Sequence, residues 1–174
     1  MKSGTGPDNN PYSAFGEIKP VGYKEHYELS VAQKRLYMLY LMDGPTLTYN
    51  MPMAIKIEGS VDRELVEEVF RKILKRHESL RTSFLLNDNG EPVQRIHEDV
   101  EFRVSHVICD ERNVKKKIEE FIKPFHLEQA PLLRAELISI NEQKHMLLYD
   151  MNHIISDGTS IEIIMDEFIN LYGG

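Results

Sequence analysis

The chain has 174 residues, 41% hydrophobic and 28% charged, with a formal net charge of −7 and a single cysteine, Cys109. That composition suits one domain with a substantial core and excludes general disorder, a disulfide framework and a cysteine-built zinc site. The acidic balance argues against a nucleic-acid footprint, no apolar run approaches the roughly 18 residues that span a bilayer, and Met1-Lys2-Ser3-Gly4-Thr5-Gly6 has no signal-peptide apolar region, so a cytoplasmic, non-membrane protein is expected.

The first 23 or so positions hold most of the early Gly, Pro, Ser and Asn without periodicity, which marks a tail, and the folded part is expected to begin near Tyr27. Ser30 is a candidate N-cap for a helix over Val31 to Met42 with Leu36, Leu39 and Tyr40 on one side, ended by Asp43-Gly44-Pro45. Met53 to Gly59 alternates like a half-buried strand. Asp62 then caps a helix to about His77, whose Leu65, Val66, Val69, Phe70, Ile73 and Leu74 form one stripe. Arg81 to Leu86 and Pro92 to His97 flank Asn87-Asp88-Asn89-Gly90, a hairpin signal; these turn residues lack the longer ligand series of a calcium loop. Phe102 to Ile108 reads as a strand, and Asp110 opens a helix with Val114, Ile118, Phe121 and Ile122 on one face, stopped before Pro124. A second hairpin, Leu132 to Ile140 and Lys144 to Met151, turns over Asn141-Glu142-Gln143, and Ile161 to Leu171 is helical. This order predicts a mixed sheet layered with helices.

Asn152-His153-Ile154-Ile155-Ser156-Asp157-Gly158 places a base, an acid, a hydroxyl and a glycine at the junction between the last strand and the last helix. A histidine titrates near neutrality and can act as base or donor in acyl transfer, while an aspartate nearby can orient it or anchor an arginine. The spacing of His153 and Asp157 leaves open whether they meet, and a purely structural histidine stands beside the functional reading. Metal binding by His153, Asp157 and His145 is not expected. Zinc sites want at least three protein ligands, and at roughly 3.3 Å per residue His145 is a whole strand away. Ser156 lacks a nucleophile elbow and reads as a loop hydroxyl.

Three segments carry a family resemblance. His153-Ile154-Ile155-Ser156-Asp157-Gly158 resembles the HHxxxDG motif of condensation domains in nonribosomal peptide synthetases. Leu29-Ser30-Val31-Ala32-Gln33-Lys34-Arg35-Leu36-Tyr37-Met38-Leu39 resembles that family's first core motif, and Arg76-His77-Glu78-Ser79-Leu80-Arg81-Thr82-Ser83-Phe84 its second. Tyr49-Asn50-Met51-Pro52 also fits, and the first motif is closest in wording to the type accepting an L-configured donor. The departure is Asn152, where the family usually has its first histidine; an amide keeps hydrogen bonds but takes no proton near neutral pH.

The resemblance implies an α/β (α+β) two-layer sandwich with a mixed, largely antiparallel sheet, the fold of one chloramphenicol acetyltransferase-like lobe. Residues 1–26 would be a linker or tail and 27–174 the N-terminal subdomain of a condensation domain, whose C-terminal subdomain has no counterpart in the chain. The implied reaction is amide formation between a donor acyl or peptidyl thioester and an acceptor amine. Both are carried on the phosphopantetheine of upstream and downstream carrier domains beside an adenylation domain, with no cofactor bound directly. His153 is the expected catalytic residue. Asp157 is expected to brace the loop by pairing with Arg76 or Arg81, with Asn152 and Gly158 in support and Gln33, Arg35 and Ser156 as channel candidates. A carrier-binding module without chemistry and a coenzyme A-dependent acyltransferase are the alternatives.

Overall fold

The structure is a computed structural model and describes residues 21–174. The first 20 positions of the expected tail lie outside the described residues. Seven strands and four α-helices follow in chain order: β1 (Tyr27–Glu28), α1 (Val31–Asp43), β2 (Asn50–Glu58), α2 (Arg63–Arg76), β3 (Thr82–Leu86), β4 (Pro92–Ile96), β5 (Val104–Ile108), α3 (Val114–Phe121), β6 (Leu133–Asn141), β7 (Lys144–Asn152) and α4 (Gly158–Tyr172). Short 3₁₀ turns at Glu78–Arg81 and Glu111–Asn113 complete the described part. No helix in it is long and apolar enough to cross a membrane.

The strands divide between two sheets, a division that periodicity did not show. A small antiparallel sheet has the order β1-β4-β3 and the main sheet the order β2-β7-β6-β5. The main sheet is mixed: β2, β7 and β6 pair antiparallel, while β5 and β6 are parallel and joined through α3. Its register sets up the site. Asn50 lies opposite Asn152, and Pro52 and Arg134 both lie opposite Asp150. Directly opposed residues share a face of the sheet, so Asn50, Asp150, Asn152 and Arg134 all project to one side.

The opposite side is apolar. Leu147, Tyr149 and Met151 of β7, with Leu133, Ala135 and Leu137 of β6, meet the stripe of α2 and the buried Ile164 and Phe168 of α4 in the principal core. Of the expected α2 stripe, Val66, Val69, Phe70, Ile73 and Leu74 are buried and Leu65 packs partly against them. The rings of Phe70 and Phe168 lie 5.0 Å apart and join the two helices. Tyr172 Oη accepts from the N–H of Asp62 (3.0 Å), and Glu167 meets Arg76 and His77, so α4 holds both ends of α2. On the other face of the sheet, Phe121 and Ile118 of α3 pack with Ile138, Leu148 and Met146 in a smaller cluster.

Local signals account for the element ends. The side chain of Asp62 accepts from the N–H groups of Glu64 and Leu65, both 3.0 Å, and caps α2. In the β3–β4 turn, Asn87 Oδ1 accepts from Asn89 N (3.0 Å) and Glu91 N (2.9 Å), and Gly90 sits at φ 76°, where a Cβ would be strained. Helix α1 turns the expected Leu36, Leu39 and Tyr40 inward and adds Tyr37 to them. Its buried residue is Tyr37, with Leu36 and Tyr40 packing partly, while Met38, Leu41 and Met42 are exposed. Apolar residues surround this helix on nearly all sides, so spacing alone did not single out Tyr37 as its most buried residue.

Candidate active site

Strand β7 ends at Asn152 and α4 begins at Gly158, and several hydrogen bonds hold the five residues between. The N–H of His153 donates to the carbonyl of Tyr49 (2.8 Å), continuing the β2–β7 ladder by one bond past the strand end. Asn152 Oδ1 accepts from Ile154 N (3.0 Å), and its carbonyl accepts from Ile155 N (3.1 Å) and Ser156 Oγ (3.2 Å). Ile154 and Ile155 are buried in the principal core and anchor the middle of the loop. Gln33 Nε2 reaches the Ile154 carbonyl (3.4 Å) from α1.

Within this frame the candidate side chains have distinct placements. His153 is exposed and projects from a fixed backbone. Asn152 is buried, and its amide closes a turn over Ile154. A neutral imidazole could accept the same bond through a ring nitrogen, so in this chain the first motif position supports the loop. Ser156 is buried, donating to the Asn152 carbonyl and lying 3.6 Å from Met51 Sδ. It is a loop hydroxyl facing inward. Gln33 has two roles: its Oε1 accepts from Ser30 N (2.9 Å) to complete the capping box of α1, and its Nε2 ties that helix to the loop. Arg35 is exposed on α1.

Asp157 does not pair with an arginine. It is exposed and caps α4, its Oδ1 accepting from Ser160 N (2.8 Å) and Ser160 Oγ (2.7 Å). Those two bonds, with the His153 imidazole nearby, hold its carboxyl below the usual carboxylate range. The imidazole acts on Asp157 through space, and the two form no ion pair. The expected partners are engaged elsewhere. Arg76 Nη1 meets Glu167 Oε1 at 2.8 Å. Arg81 is spent on backbone carbonyls, donating through Nε to Leu74 (2.9 Å) and through Nη1 to His97 and Glu98. The physical reason is geometric: an aspartate just before a helix finds unpaired N–H groups within its own next turn, and these are nearer than any side chain on another element.

Gly158 opens α4. Its φ is not positive, and a Cβ built on it meets no atom within 4 Å, so the turn does not demand glycine. His145 stands at the other end of β7, buried with Ser139 Oγ 2.9 Å from its Nδ1, and takes no part in the loop. A cleft of about 410 Å³ lined by Arg63, Glu64, Glu67, Ser105 and His106 opens between α2 and β5 and contains no loop residue.

The sequence reading missed a polar cluster beneath the loop. Asp150 is fully buried, its Oδ2 accepting from Asn50 Nδ2 (2.7 Å) and lying 3.5 Å from Arg134 Nε. The carbonyl of Lys123 accepts from both Asn50 Nδ2 (2.8 Å) and Arg134 Nη2 (2.6 Å), and the guanidinium lies 3.7 Å over the Phe125 ring. Burial raises the Asp150 carboxyl against the opposing pull of Asn50 and Arg134, and burial lowers Arg134. The available signal was an aspartate inside the apolar run Met146 to Met151, since charges are rarely fully buried unless paired.

The condensation-domain family model matches residues 23–174. The fold is an α/β arrangement with a mixed sheet, and the chain belongs to the condensation domain family. It is 46% identical over 167 residues to gramicidin S synthase 2 of Brevibacillus brevis, covering 96% of this chain and 4% of that protein. It is 49% identical over 156 residues to bacitracin synthase 2 of Bacillus licheniformis, covering 90% of this chain and 6% of that protein. The chain therefore spans only a small part of these relatives' length. Among solved structures, a complex of the X-domain and OxyB from teicoplanin biosynthesis matches with a TM-score of 0.80 at 26% identity, over 88% of this chain and 34% of that one. The first condensation domain of the CDA synthetase matches with a TM-score of 0.76 at 18% identity, over 84% and 40%, a likeness of fold alone.

Proposed function

We propose that this chain is the N-terminal lobe of a peptide-synthetase condensation domain. In the two-lobed domain, the amine of a carrier-bound acceptor attacks the thioester of a carrier-bound donor, forming the amide and releasing the donor carrier's thiol. The substrates arrive on phosphopantetheine arms, so the partners are two carrier domains, the second lobe and an adjacent adenylation domain. The lobe alone is inactive in this reading, because the second wall of the site is supplied by the other lobe.

One observation carries the reading: the loop turns the His153 side chain outward while its own N–H is bonded to the Tyr49 carbonyl, and the exposed Asp157 beside it is engaged as the cap of α4. Fixed placement of a base or acceptor is what this chemistry needs. An α-amine has a pKa near 8, so deprotonating it at pH 7 costs only about 1.4 kcal/mol. His153 then positions the amine and takes its proton as the tetrahedral centre forms, a contribution of about 10²- to 10⁴-fold. The test is amide formation by the two-lobed domain with both carriers loaded. His153→Ala is expected to lower the rate within that range, and an unchanged rate would refute the catalytic assignment.

A second reading, a docking module without chemistry, is favoured by Asn152 and by the likeness to the X-domain, which is described in complex with OxyB. Asn152→His distinguishes the two. Because Asn152 already supplies the loop's hydrogen bond, the amide-forming reading predicts an active parent domain whose rate this change leaves unaltered. A silent parent that gains activity on Asn152→His supports the docking reading.

A further inference from the structure

We propose that Asn50, Asp150 and Arg134 form a positioning brace for His153, a polar tie under the loop that fixes where the imidazole stands. The proposal rests on the role of His153 given above and concerns residues outside the recognised loop motif. The His153 amide is held by the carbonyl of Tyr49, the residue immediately before Asn50. Asn50 in turn is clamped from two directions, by the Asp150 carboxylate on β7 and the Lys123 carbonyl on the segment after α3. Arg134 on β6 closes the figure by donating to the same carbonyl and stacking on Phe125. Displacing any of the three shifts the strand end to which His153 is bonded.

The cluster is poorly explained as a device for stability alone. Among the described residues four buried side-chain polar atoms lack a hydrogen-bond partner; three of them, Asn50 Oδ1, Asp150 Oδ1 and Arg134 Nε, are in this cluster, and the fourth, Tyr149 Oη, lies on the opposite face of the sheet. Such atoms cost free energy when buried, and a buried ion pair is often matched or bettered by apolar residues of the same volume. What a polar cluster provides that an apolar one does not is direction. Hydrogen bonds at 2.7 and 2.8 Å hold Asn50 at one place relative to two other elements, whereas apolar packing tolerates sliding.

The test uses the two-lobed domain with loaded carriers, comparing Asp150→Leu, Asp150→Asn and Asn50→Ala. Asp150→Leu and Asn50→Ala are expected to lower kcat about 10-fold or more while KM for each carrier substrate stays within about two-fold, because misplacing a reacting group costs rate rather than affinity. Asp150→Asn retains an oxygen for Asn50 Nδ2 and is expected to recover most of kcat. In parallel, hydrogen exchange at the His153 amide is expected to accelerate about 10-fold in Asp150→Leu and Asn50→Ala with the α2 core amides unchanged. The brace is overturned if folded Asn50→Ala keeps both kcat and His153 amide protection, or if Asp150→Asn is no better than Asp150→Leu. Should Asp150→Leu fail to fold, Asn50→Ala and Asp150→Asn decide alone. Full activity of His153→Ala would remove the functional reading instead, and the amide exchange would still judge the brace.

Discussion

Asp150, on the strand side of the His153 loop, is fully buried with one oxygen unpartnered, whereas Asp157, on the helix side, is exposed and satisfied by the first turn of α4. Burial pushes the first carboxyl up and hydrogen bonding to Ser160 pulls the second down. The more prominent sequence signal belongs to Asp157, as part of a recognisable motif, while the larger energetic stake lies with Asp150. A motif marks where residues recur around a site. It does not rank them by what the fold loses when they change, because that depends on desolvation and on whether water can replace the missing partner.

The largest effect that would break this contrast is Asp150→Ala. It strips Asn50 Nδ2 of one acceptor and leaves the half-buried Arg134 without its counter-charge, so a loss of about 3 kcal/mol in the stability of the domain is expected by denaturant unfolding. The compensated pair Asp150→Leu with Arg134→Met should lose less than the two single changes added together, since it removes both charges at once. Additive losses would show that the two side chains do not interact. Next in size is Glu167→Ala, which cuts α4 from Arg76 and His77 at the end of α2. Glu167 is largely buried although Arg76 is exposed, so about 1 to 2 kcal/mol is expected, read as a lower Tm.

The pH dependence sharpens the same comparison. Burial raises Glu167, but the bond to His77 and the charge of Arg76 outweigh it and hold its carboxyl low. The stabilising contributions of Glu167 and Asp157 are therefore present above the ordinary carboxylate pKa and are lost as pH falls through their depressed values. Asp150 runs the other way: its contribution is fully present below the unfolded carboxylate pKa and is lost as pH rises through the raised one. Asp150→Asn should consequently gain stability relative to the parent as pH rises from the acid range to neutrality. Glu167→Gln should lose stability relative to the parent over the same rise. Parallel curves for the two variants would contradict the opposite shifts.

Much of this was legible because it is local. The α2 stripe, the Asn87–Gly90 turn and the Ser30 and Asp62 caps depend on residues within a few positions of one another, where 3.6-residue spacing and side-chain capping act directly. The separation into two sheets and the cluster joining Asn50, Lys123, Arg134 and Asp150 depend on pairing across tens of residues. Register places Pro52 and Arg134 on either side of Asp150, and no periodicity states that. The second motif offers Arg76 and Arg81 as partners of Asp157, but hydrogen bonding satisfies Arg81 locally and Arg76 on α4. The exposed position of His153 was legible as a loop residue before a helix cap; the anchoring of its backbone on Tyr49 was not.

The smallest effect expected is also the sharpest test of the helix side of the comparison. Asn is as good an N-cap as Asp but cannot pair as a charge with an arginine. If Asp157 serves α4 as its cap, Asp157→Asn leaves Tm nearly unchanged. Asp157→Ala lowers it slightly and accelerates hydrogen exchange at Ser160, whose N–H loses its acceptor. If closure of the second lobe instead turns Asp157 toward Arg76 or Arg81, the charge becomes the relevant property and Asn fails as badly as Ala. Measuring both variants in the two-lobed domain separates a side chain that ends a helix from one that locks a site, and only the second would put Asp157 on the same footing as Asp150.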